Sequence, residues 1–446
     1  MKILLTVHQF FPDFAAGTEV LTYSVAKELI NRGNEVRVLS GHPWSLCTPE
    51  KQRIEEYTYK GIHVYRYHDA PDHYAKQSSK IELDYDNHMA TEFFERILDE
   101  FEPDFVHFFH LSRLGTGLIT KAAERGISAS MTPTDFWTIC PKARMSYSNG
   151  TECSGPSADA GNCAVHLATQ LLGERAEGLA TFIPTILSDF FVRRTHADFL
   201  SKNHYLKETI ALRKRLPTNI SRLNLLKKIV VPNQILKNLL LQHGVEEKRI
   251  IQYSYGIHFN GRSTQRTPRK FGSTFRVGFI GTLSPHKGAH ILIKSFKRLK
   301  NRNAVLKIYG SETDFPKYSK KLRDISNNDP RVEFCGTFPN QSIGKVLDNI
   351  DVLVVPSTWT ENTPLVIYSA KAAGCPVLAS DVSGIAEAIE HNVNGLLFKR
   401  GSVESLYKHL VNLTEDHTIL EKISNNTEPP KTISAYVDEL LSIWSS

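Results

Sequence analysis

Residues 279–288 read FIGTLSPHKG, a short apolar strand that runs into a turn with glycine at both ends and a lysine before the next helix. The backbone N–H groups of such a turn and the ammonium of Lys287 can converge on a phosphate at the start of a helix. The spacing matches neither the dinucleotide-binding glycine pattern nor the P-loop. The stretch therefore predicts an α/β unit whose turn either binds a phosphate or is an ordinary turn with a surface lysine.

The rest of the chain repeats this alternation of strands and helices. Around the turn, strands are predicted over 275–280, 304–309, 332–335, 352–355 and 376–379, and helices over 289–301, 318–327, 365–373 and 385–391. Nearer the amino terminus, strands are predicted over 3–7, 35–39, 104–109 and 128–132, and helices over 19–31, 88–101 and 115–125. Such alternation is typical of parallel sheets covered by helices. The sequence therefore predicts two doubly wound, Rossmann-like α/β domains in tandem.

Changes in composition predict the domain boundaries. The first domain is expected over residues 1–260, with a cysteine-bearing and helical insertion over about 140–222 that interrupts the alternation. A stretch rich in Gly, Ser, Thr and Arg over 260–273 has the composition of an interdomain linker. The second domain is expected over 274–424. A helix within 425–446 is expected to pack back on the first domain.

The composition excludes several classes of protein. Of 446 residues, 54 are Lys or Arg and 47 are Asp or Glu, a net charge of +7 without the dense basic clusters of a nucleic-acid-binding protein. With 41% hydrophobic residues, the chain is not largely disordered. We expect no transmembrane helix, because no apolar stretch reaches about 18 residues. We also expect no signal peptide, because Thr6 and His8 interrupt the first apolar run and no small-residue cleavage site follows. Six cysteines in so long a chain indicate a reducing compartment, so we expect a cytoplasmic protein.

A second stretch, VPSTWTENTPLVI over residues 355–367, places a carboxylate and an amide just before a predicted helix. Free N–H groups at the start of that helix, whose first turn includes Pro364, can hold a hydroxylated or anionic ligand beside Glu361. The alternative is that Thr363 only caps the helix and that Glu361 is solvated. The spacing alone leaves both interpretations open.

These stretches together resemble glycosyltransferase family 4, the retaining nucleotide-sugar-dependent enzymes with the GT-B fold. The similar motifs occur in the family's order over nearly the whole chain: AGTE at 16–19, the turn at 281–288, the stretch 356–374, and NVNGLLF at 392–398. The resemblance implies two Rossmann-like domains that face each other across a cleft, with the acceptor against the first and the donor against the second. It also implies a role in bacterial polysaccharide or glycolipid assembly.

Carried over by position, the resemblance assigns roles to individual residues. Lys287 would bind the donor diphosphate, Gly17 would let the first loop approach the phosphates, and Glu361 with the amides after it would hold the sugar. Ribose and base would lie against the turns at 310–312 and 336–338. The implied donor-binding residues are Gly17, Thr18, Gly281, Thr282, Lys287, Gly310, Phe338, Glu361, Asn362, Thr363, Pro364, Leu365 and Ser369. The implied catalytic residues are Lys287, Glu361, His110 and Asp135, with no cofactor required.

Three positions depart from the family's pattern. Thr282 stands where the family has an arginine, Ser369 where it has a second glutamate, and Thr134 where it has a histidine. The first change removes a phosphate-binding charge, and the second removes a carboxylate contact to the ribose. These departures leave an alternative open: a non-catalytic sugar-nucleotide-binding or assembly subunit with a degraded donor site.

Two further groups of residues have open interpretations. Cys140, Cys153, Cys163 and His166 include a ligand-pair spacing at 163–166. They form either a structural zinc site or a group whose thiols bind no metal. His107 and His110 follow a predicted strand. Each is either a metal ligand or base, or a packed core histidine, and the resemblance implies that His110 is a polar group at the acceptor.

Residues 179–194 combine apolar and aromatic side chains with Arg193 and Arg194, at helical spacing interrupted by Pro184 and Asp189. The stretch is either a helix that contacts an anionic membrane surface or an ordinary core helix. The first interpretation would place the protein peripherally on the inner face of the cell membrane, where it could meet a lipid-linked acceptor.

Overall fold

The computed structural model describes residues 1–43, 53–69, 77, 79–147, 151–171, 182–195, 204–259 and 273–445. Residues 260–272 of the predicted linker and 179–181 of the predicted surface helix lie outside the described residues. The chain divides into two compact units, Met1–Ser254 with Ser434–Ser446, and Tyr255–Ile433. In the described part of the chain, no helix combines the length and the apolar character needed to span a bilayer.

The first unit is built on an eight-stranded sheet in the order β3-β4-β2-β1-β5-β6-β7-β8. Its strands are β1 Lys2–Val7, β2 Glu35–Pro43, β3 Ile54–Tyr59, β4 Ile62–Asp69, β5 Phe105–Phe108, β6 Ser128–Met131, β7 Lys228–Val231 and β8 Ile250–Gln252. β3 and β4 pair antiparallel, because Lys60 and Gly61 both have positive φ and close a two-residue hairpin. The other described pairs in this sheet are parallel.

Nine helices are described in this unit: α1 Gly17–Asn31, α2 Lys80–Tyr85, α3 His88–Phe101, α4 Gly117–Glu124, α5 Gly161–Leu171, α6 Thr185–Arg194, α7 His204–Leu223, α8 Gln234–Gln242 and, at the end of the chain, α15 Ile433–Ser445. α15 is fixed to the first sheet by two buried contacts: the Trp444 indole donates to Ser130, and the Tyr436 hydroxyl lies 3.0 Å from that of Thr132.

The second unit has a six-stranded parallel sheet in the order β11-β10-β9-β12-β13-β14. Its strands are β9 Phe275–Ile280, β10 Ala304–Tyr309, β11 Val332–Gly336, β12 Val352–Val355, β13 Val377–Asp381 and β14 Leu396–Lys399. Its described helices are α9 Ala289–Lys297, α10 Pro316–Ser326, α11 Ile343–Asp348, α12 Leu365–Ala372, α13 Val403–Glu415 and α14 Thr418–Asn425. Alternate side chains of β12 enter two apolar cores on opposite faces of the sheet, as expected for a doubly wound domain.

The predicted helix over 385–391 is wrong. Residues 383–388 form turns instead. Gly384 has φ +83° and Asn392 has φ +65°, and left-handed residues on both sides leave too short a stretch for a helix.

The strand order explains why distant stretches of sequence meet. In each sheet the chain first builds in one direction and then crosses to the other side of its first strand. The crossing lies between β1 and β5 in the first unit and between β9 and β12 in the second. Loops at the carboxyl ends of two such strands border a crevice where open α/β sheets bind ligands. The turn at 281–288 follows β9 and the stretch from Pro356 follows β12, so the fold itself brings both to this position.

Candidate functional site

Lys287 and Glu361 meet at the carboxyl edge of the second sheet. Lys287 ends a single 3-10 turn, Pro285–Lys287, and Gly288 in a left-handed conformation passes the chain into α9. The Lys287 ammonium donates to Glu361 Oε1 at 2.6 Å. Its side chain is 27% exposed, whereas that of Glu361 is 8% exposed. The pair therefore presents a cation to solvent above a buried carboxylate.

Glu361 Oε1 is held by three donors. Besides Lys287, the Ser357 hydroxyl donates at 2.6 Å and the Trp359 indole at 2.7 Å. Burial by itself raises the pKa of this carboxyl, but the charge and hydrogen bond of Lys287, together with Ser357 and Trp359, bring the pKa below its ordinary value. Glu361 is therefore an ionised, fixed anion, and the interpretation of Glu361 as a solvated residue is wrong.

Glycines let the loops around this pair approach each other closely. A Cβ on Gly288 would lie 1.8 Å from the Pro356 carbonyl oxygen, and one on Gly384 would lie 1.8 Å from the Glu361 carbonyl oxygen. The Thr358 N–H also donates to the carbonyl of His286 at 2.8 Å. These contacts fix the lysine and the glutamate relative to each other.

The stability that the ion pair provides should depend on pH. Because the pKa of Glu361 is lower in the folded chain than its unfolded value of 4.5, the pair stabilises the fold above that pH, and this contribution is lost as the pH falls through the lowered value. We expect Glu361→Gln to reduce the free energy of unfolding by about 1–3 kcal/mol at neutral pH. The reduction should shrink in acid. Denaturant titrations of both proteins across this pH range measure it, and a difference that grows as the pH falls would contradict the expectation.

The turns at 310–312 and 336–338 adjoin the turn at 281–288. A Cβ on Gly310 would lie 2.3 Å from the Gly281 carbonyl oxygen, so the first of these turns contacts the start of the lysine turn. The Gly310 N–H donates to Gly336 at 2.9 Å, and the Phe338 ring packs edge-on against Tyr309. Thr282 follows Gly281 and is half-buried. The structure thus groups Gly281, Thr282, Gly310 and Phe338 next to the lysine turn.

The stretch after Glu361 does not have the helix cap at Thr363 that one of the two sequence interpretations expected. α12 begins at Leu365 with Pro364 at its N-cap, so Thr363 does not cap the helix. The Thr363 hydroxyl donates to the carbonyl of Asn362, whose buried amide donates to the Tyr255 hydroxyl. The Ser369 hydroxyl donates to the carbonyl of Leu365 within the helix, so this hydroxyl is already hydrogen-bonded. A serine here also supplies no carboxylate for a ligand.

In the first unit, the structure brings together the two other implied catalytic residues. His110 Nε2 and Asp135 Oδ2 are 3.0 Å apart, and the Trp137 N–H donates to the other oxygen of this carboxylate at 2.7 Å. Thr18 donates to Thr134 at 2.9 Å, which joins the loop of Gly17 to the same region.

Sequence reasoning missed two members of this network. The His8 ring lies 4.1 Å from that of His110, and His8 Nε2 lies 3.6 Å from Glu19 Oε1. Burial, followed by the nearby charges of His110 and Arg113, holds the pKa of His8 well below its ordinary value. Burial likewise raises the pKa of Glu19. A histidine directly after the first strand was the available signal, since β1 borders the crossing.

His107 does not belong to this network. It is fully buried, its two ring nitrogens lie 2.7 Å and 3.0 Å from the hydroxyls of Ser130 and Thr132, and burial lowers its pKa to about 3. The packed interpretation is therefore correct for His107. His110, three residues later, is the one beside a carboxylate.

Cys140, Cys153, Cys163 and His166 lie near one another, around Tyr147. The Tyr147 and His166 rings are 4.6 Å apart, and burial followed by the proximity of Cys153 raises the pKa of Tyr147 to about 12. The five described cysteines form no disulfide. Among the described residues, no three or more His, Cys, Asp and Glu side chains are grouped so as to hold a metal ion. Zinc stays a prediction, which elemental analysis of the purified protein can test.

Comparisons with known proteins agree with the architecture. Residues 262–429 match the model of the family described as Glycosyl transferases group 1. The chain is 30% identical over 167 residues to the D-inositol 3-phosphate glycosyltransferase of Corynebacterium glutamicum, covering 35% of this chain and 40% of the relative. It is 26% identical over 237 residues to the amylovoran biosynthesis glycosyltransferase AmsK of Erwinia amylovora, covering 49% and 54%. The chain thus spans about half the length of these curated relatives.

The fold itself has solved counterparts. The structure of HepE from Anabaena in complex with UDP and glucose superposes with a TM-score of 0.64 at 17% identity, covering 99% of both chains. At this identity the likeness shows the fold alone. The fold is GT-B, with two Rossmann-like parallel-sheet domains, as the sequence predicts.

Proposed function

We propose that the chain is a retaining glycosyltransferase that moves a sugar from a nucleotide-sugar donor to a glycan or lipid-linked acceptor, in bacterial surface polysaccharide biosynthesis. The observation that carries the proposal is the Lys287–Glu361 pair at the strand crossing of the second unit. The group 1 family match over 262–429 supports it, as do AmsK, named for amylovoran biosynthesis, and HepE, solved with UDP and glucose.

The second unit is proposed to bind the donor. Lys287 offers an ammonium to the diphosphate, and the glycine turns allow phosphate oxygens to reach backbone N–H groups. Thr282 adds a hydroxyl but no charge, so Lys287 is the principal cation of this turn. Phe338 and the turn at Gly310 are proposed to contact the nucleoside.

Glu361 is proposed to position sugar hydroxyls and not to attack the anomeric carbon. Three hydrogen bonds to one oxygen stabilise its negative charge, which makes the carboxylate a weak nucleophile. The proposed reaction is a same-face substitution: the bond from the anomeric carbon to the phosphate oxygen breaks while the bond to the acceptor oxygen forms. The acceptor proton passes to the departing phosphate. Lys287 stabilises the charge that develops on the diphosphate, and no metal cofactor is required.

The first unit is proposed to bind the acceptor. Asp135 fixes His110 by a direct hydrogen bond, and the His110 ring lies tilted against that of His8. These side chains therefore form an oriented polar surface at the carboxyl ends of β1 and β5. An acceptor hydroxyl can be oriented there by His110 and Asp135. Nucleic acid is not expected as a partner.

A variant of Glu361 tests its role in holding the sugar. Glu361→Gln keeps the side-chain volume but removes the charge that pairs with Lys287. We expect it to weaken binding of a nucleotide sugar about tenfold while changing the affinity for the free nucleoside diphosphate by less than about twofold. Calorimetric titrations with both ligands measure the two affinities. Equal losses would make Glu361 a structural residue.

The alternative is a non-catalytic sugar-nucleotide-binding subunit. It is favoured by the hydroxyl contacts of Thr134 and Ser369, two of the positions that differ from the family's pattern. Thr134 is bonded to Thr18 and Ser369 to Leu365, so both replacements serve the fold. A screen of nucleotide sugars for thermal stabilisation, followed by an assay for sugar release, separates the two functions. Stabilisation with turnover supports the enzyme, and stabilisation without turnover supports the subunit.

A further inference from the structure

An exposed apolar surface stands out on the first unit. It consists of α6 with the two residues before Pro184, and we call it the α6 surface. Of ten exposed large apolar side chains in the described part of the chain, six belong to it, with exposures from 42% to 87%: Phe182, Ile183, Ile186, Leu187, Phe190 and Phe191. Such a concentration marks an interaction surface, whereas single exposed apolar residues do not.

The side of α6 that faces the protein is formed by Ser188, Asp189 and Val192. Ser188 is buried, and Asp189 Oδ1 accepts hydrogen bonds from the Gly161 N–H at 2.8 Å and the Ser157 hydroxyl at 2.6 Å. An ordinary surface helix buries its apolar side and exposes its polar side. α6 buries only Val192 among its large apolar side chains and exposes the others, so the expectation of an ordinary core helix is wrong.

The orientation of α6 is firmly held. A Cβ on Gly161 would lie 2.4 Å from the backbone of Ser188 and of Asp189, so the start of α5 packs directly against α6. At the other end, Arg193 donates two hydrogen bonds to the buried Asp159, which Arg213 also contacts at 2.6 Å. Turning the apolar side inward would break these contacts. The exposure is therefore a property of the fold.

Two cations lie on the outer side of α6, and its one carboxylate, Asp189, faces inward. Arg193 is 66% exposed but its charge is paired with Asp159, whereas the Arg194 guanidinium lies 4.5 Å from the centre of the Phe190 ring. A second copy of this chain would bring the same arginines together. An apolar surface bordered by cations matches the interface of a bilayer that contains anionic lipid.

We propose that the α6 surface binds an anionic membrane, with Phe182, Ile186 and Phe190 entering the headgroup region and Arg194 contacting lipid phosphates. The surface would hold the first unit at the bilayer without a spanning helix. The proposal does not depend on the proposed reaction, because membrane binding needs no donor.

Vesicle flotation of the whole chain tests the proposal. We expect the wild type to float with vesicles that contain phosphatidylglycerol about tenfold more than with phosphatidylcholine alone, at low salt, and the difference to shrink at high salt. Ile186→Ser/Phe190→Ser should reduce flotation about tenfold. The matched control, Leu225→Ser/Phe315→Ser, removes two exposed side chains of the same kinds elsewhere and should float like the wild type. Arg193 is left intact because it holds α6 in place.

The outcomes are distinct. The proposal is overturned if the wild type does not float with the anionic vesicles. It is also overturned if the Ile186→Ser/Phe190→Ser variant floats as well as the wild type and has the same thermal midpoint. Equal flotation on both kinds of vesicle overturns the role of anionic lipid. Sedimentation measures the remaining case: a wild-type dimer that becomes a monomer in the Ile186→Ser/Phe190→Ser variant, without flotation of either, would identify a second copy as the occupant.

Discussion

Replacing Lys287 with alanine is expected to slow sugar transfer by about 30- to 1000-fold, which corresponds to about 2–4 kcal/mol of transition-state stabilisation. The physical reason is that the ammonium acts on charge that increases as the diphosphate departs, at the start of a helix and above a buried carboxylate. Thr282 cannot compensate, since a hydroxyl carries no charge. Steady-state kinetics with the donor found by the nucleotide-sugar screen measure the change.

Two further variants separate this effect from a loss of stability. Lys287→Ala leaves Glu361 buried without its cation, which destabilises a fold. Lys287→Met/Glu361→Gln removes both charges and is expected to recover much of the stability but none of the activity. Lys294→Ala, which removes an exposed lysine of α9, is expected to behave like the wild type. A folded Lys287→Ala variant with normal turnover would remove Lys287 from the mechanism.

Replacing Gly288 with alanine is expected to destabilise the second unit by at least about 3 kcal/mol. Two causes act together: φ of +74° is unfavourable for alanine, and the new Cβ would lie 1.8 Å from the Pro356 carbonyl oxygen. Relief of that overlap must separate the two loops that hold Lys287 beside Glu361, so donor binding should fall as well.

Gly401 provides the matched control for this substitution. It has φ +70°, but a Cβ there meets nothing within 4 Å, so Gly401→Ala carries only the conformational penalty of about 1–2 kcal/mol. Denaturant midpoints of the two variants compare the penalties directly. Equal destabilisation by both would show that the contact with Pro356 is unimportant.

The alternation of strands and helices was predictable because apolar side chains repeat with different periods in the two structures. The confirmed prediction of two doubly wound domains rests on this pattern. The hairpin of β3 and β4 was missed, because its signal is only the Lys60-Gly61 pair. The helix over 385–391 was predicted wrongly because apolar spacing does not report that Asn392 takes a left-handed conformation.

Within the site, the sequence singled out Lys287 and Glu361 separately but could not place one beside the other. Their 2.6 Å contact follows from strand order, since β9 and β12 are neighbours in the sheet although they are distant in the sequence. The orientation of α6 was likewise not predictable. Its apolar spacing fits a core helix equally well, and only the contacts of Asp189 and Arg193 show which side faces the protein.

The central claim is that the second unit activates a nucleotide sugar through Lys287, and release of the nucleoside diphosphate tests it most directly. Wild type, Lys287→Ala and Lys294→Ala are incubated with a panel of nucleotide sugars, with and without a lipid extract as acceptor, and the released nucleotide is measured by chromatography. We predict that the wild type and Lys294→Ala cleave at least one donor, and that Lys287→Ala cleaves it at least about 30-fold more slowly. Release from no donor by the wild type, or equal release by a folded Lys287→Ala variant, would contradict the account.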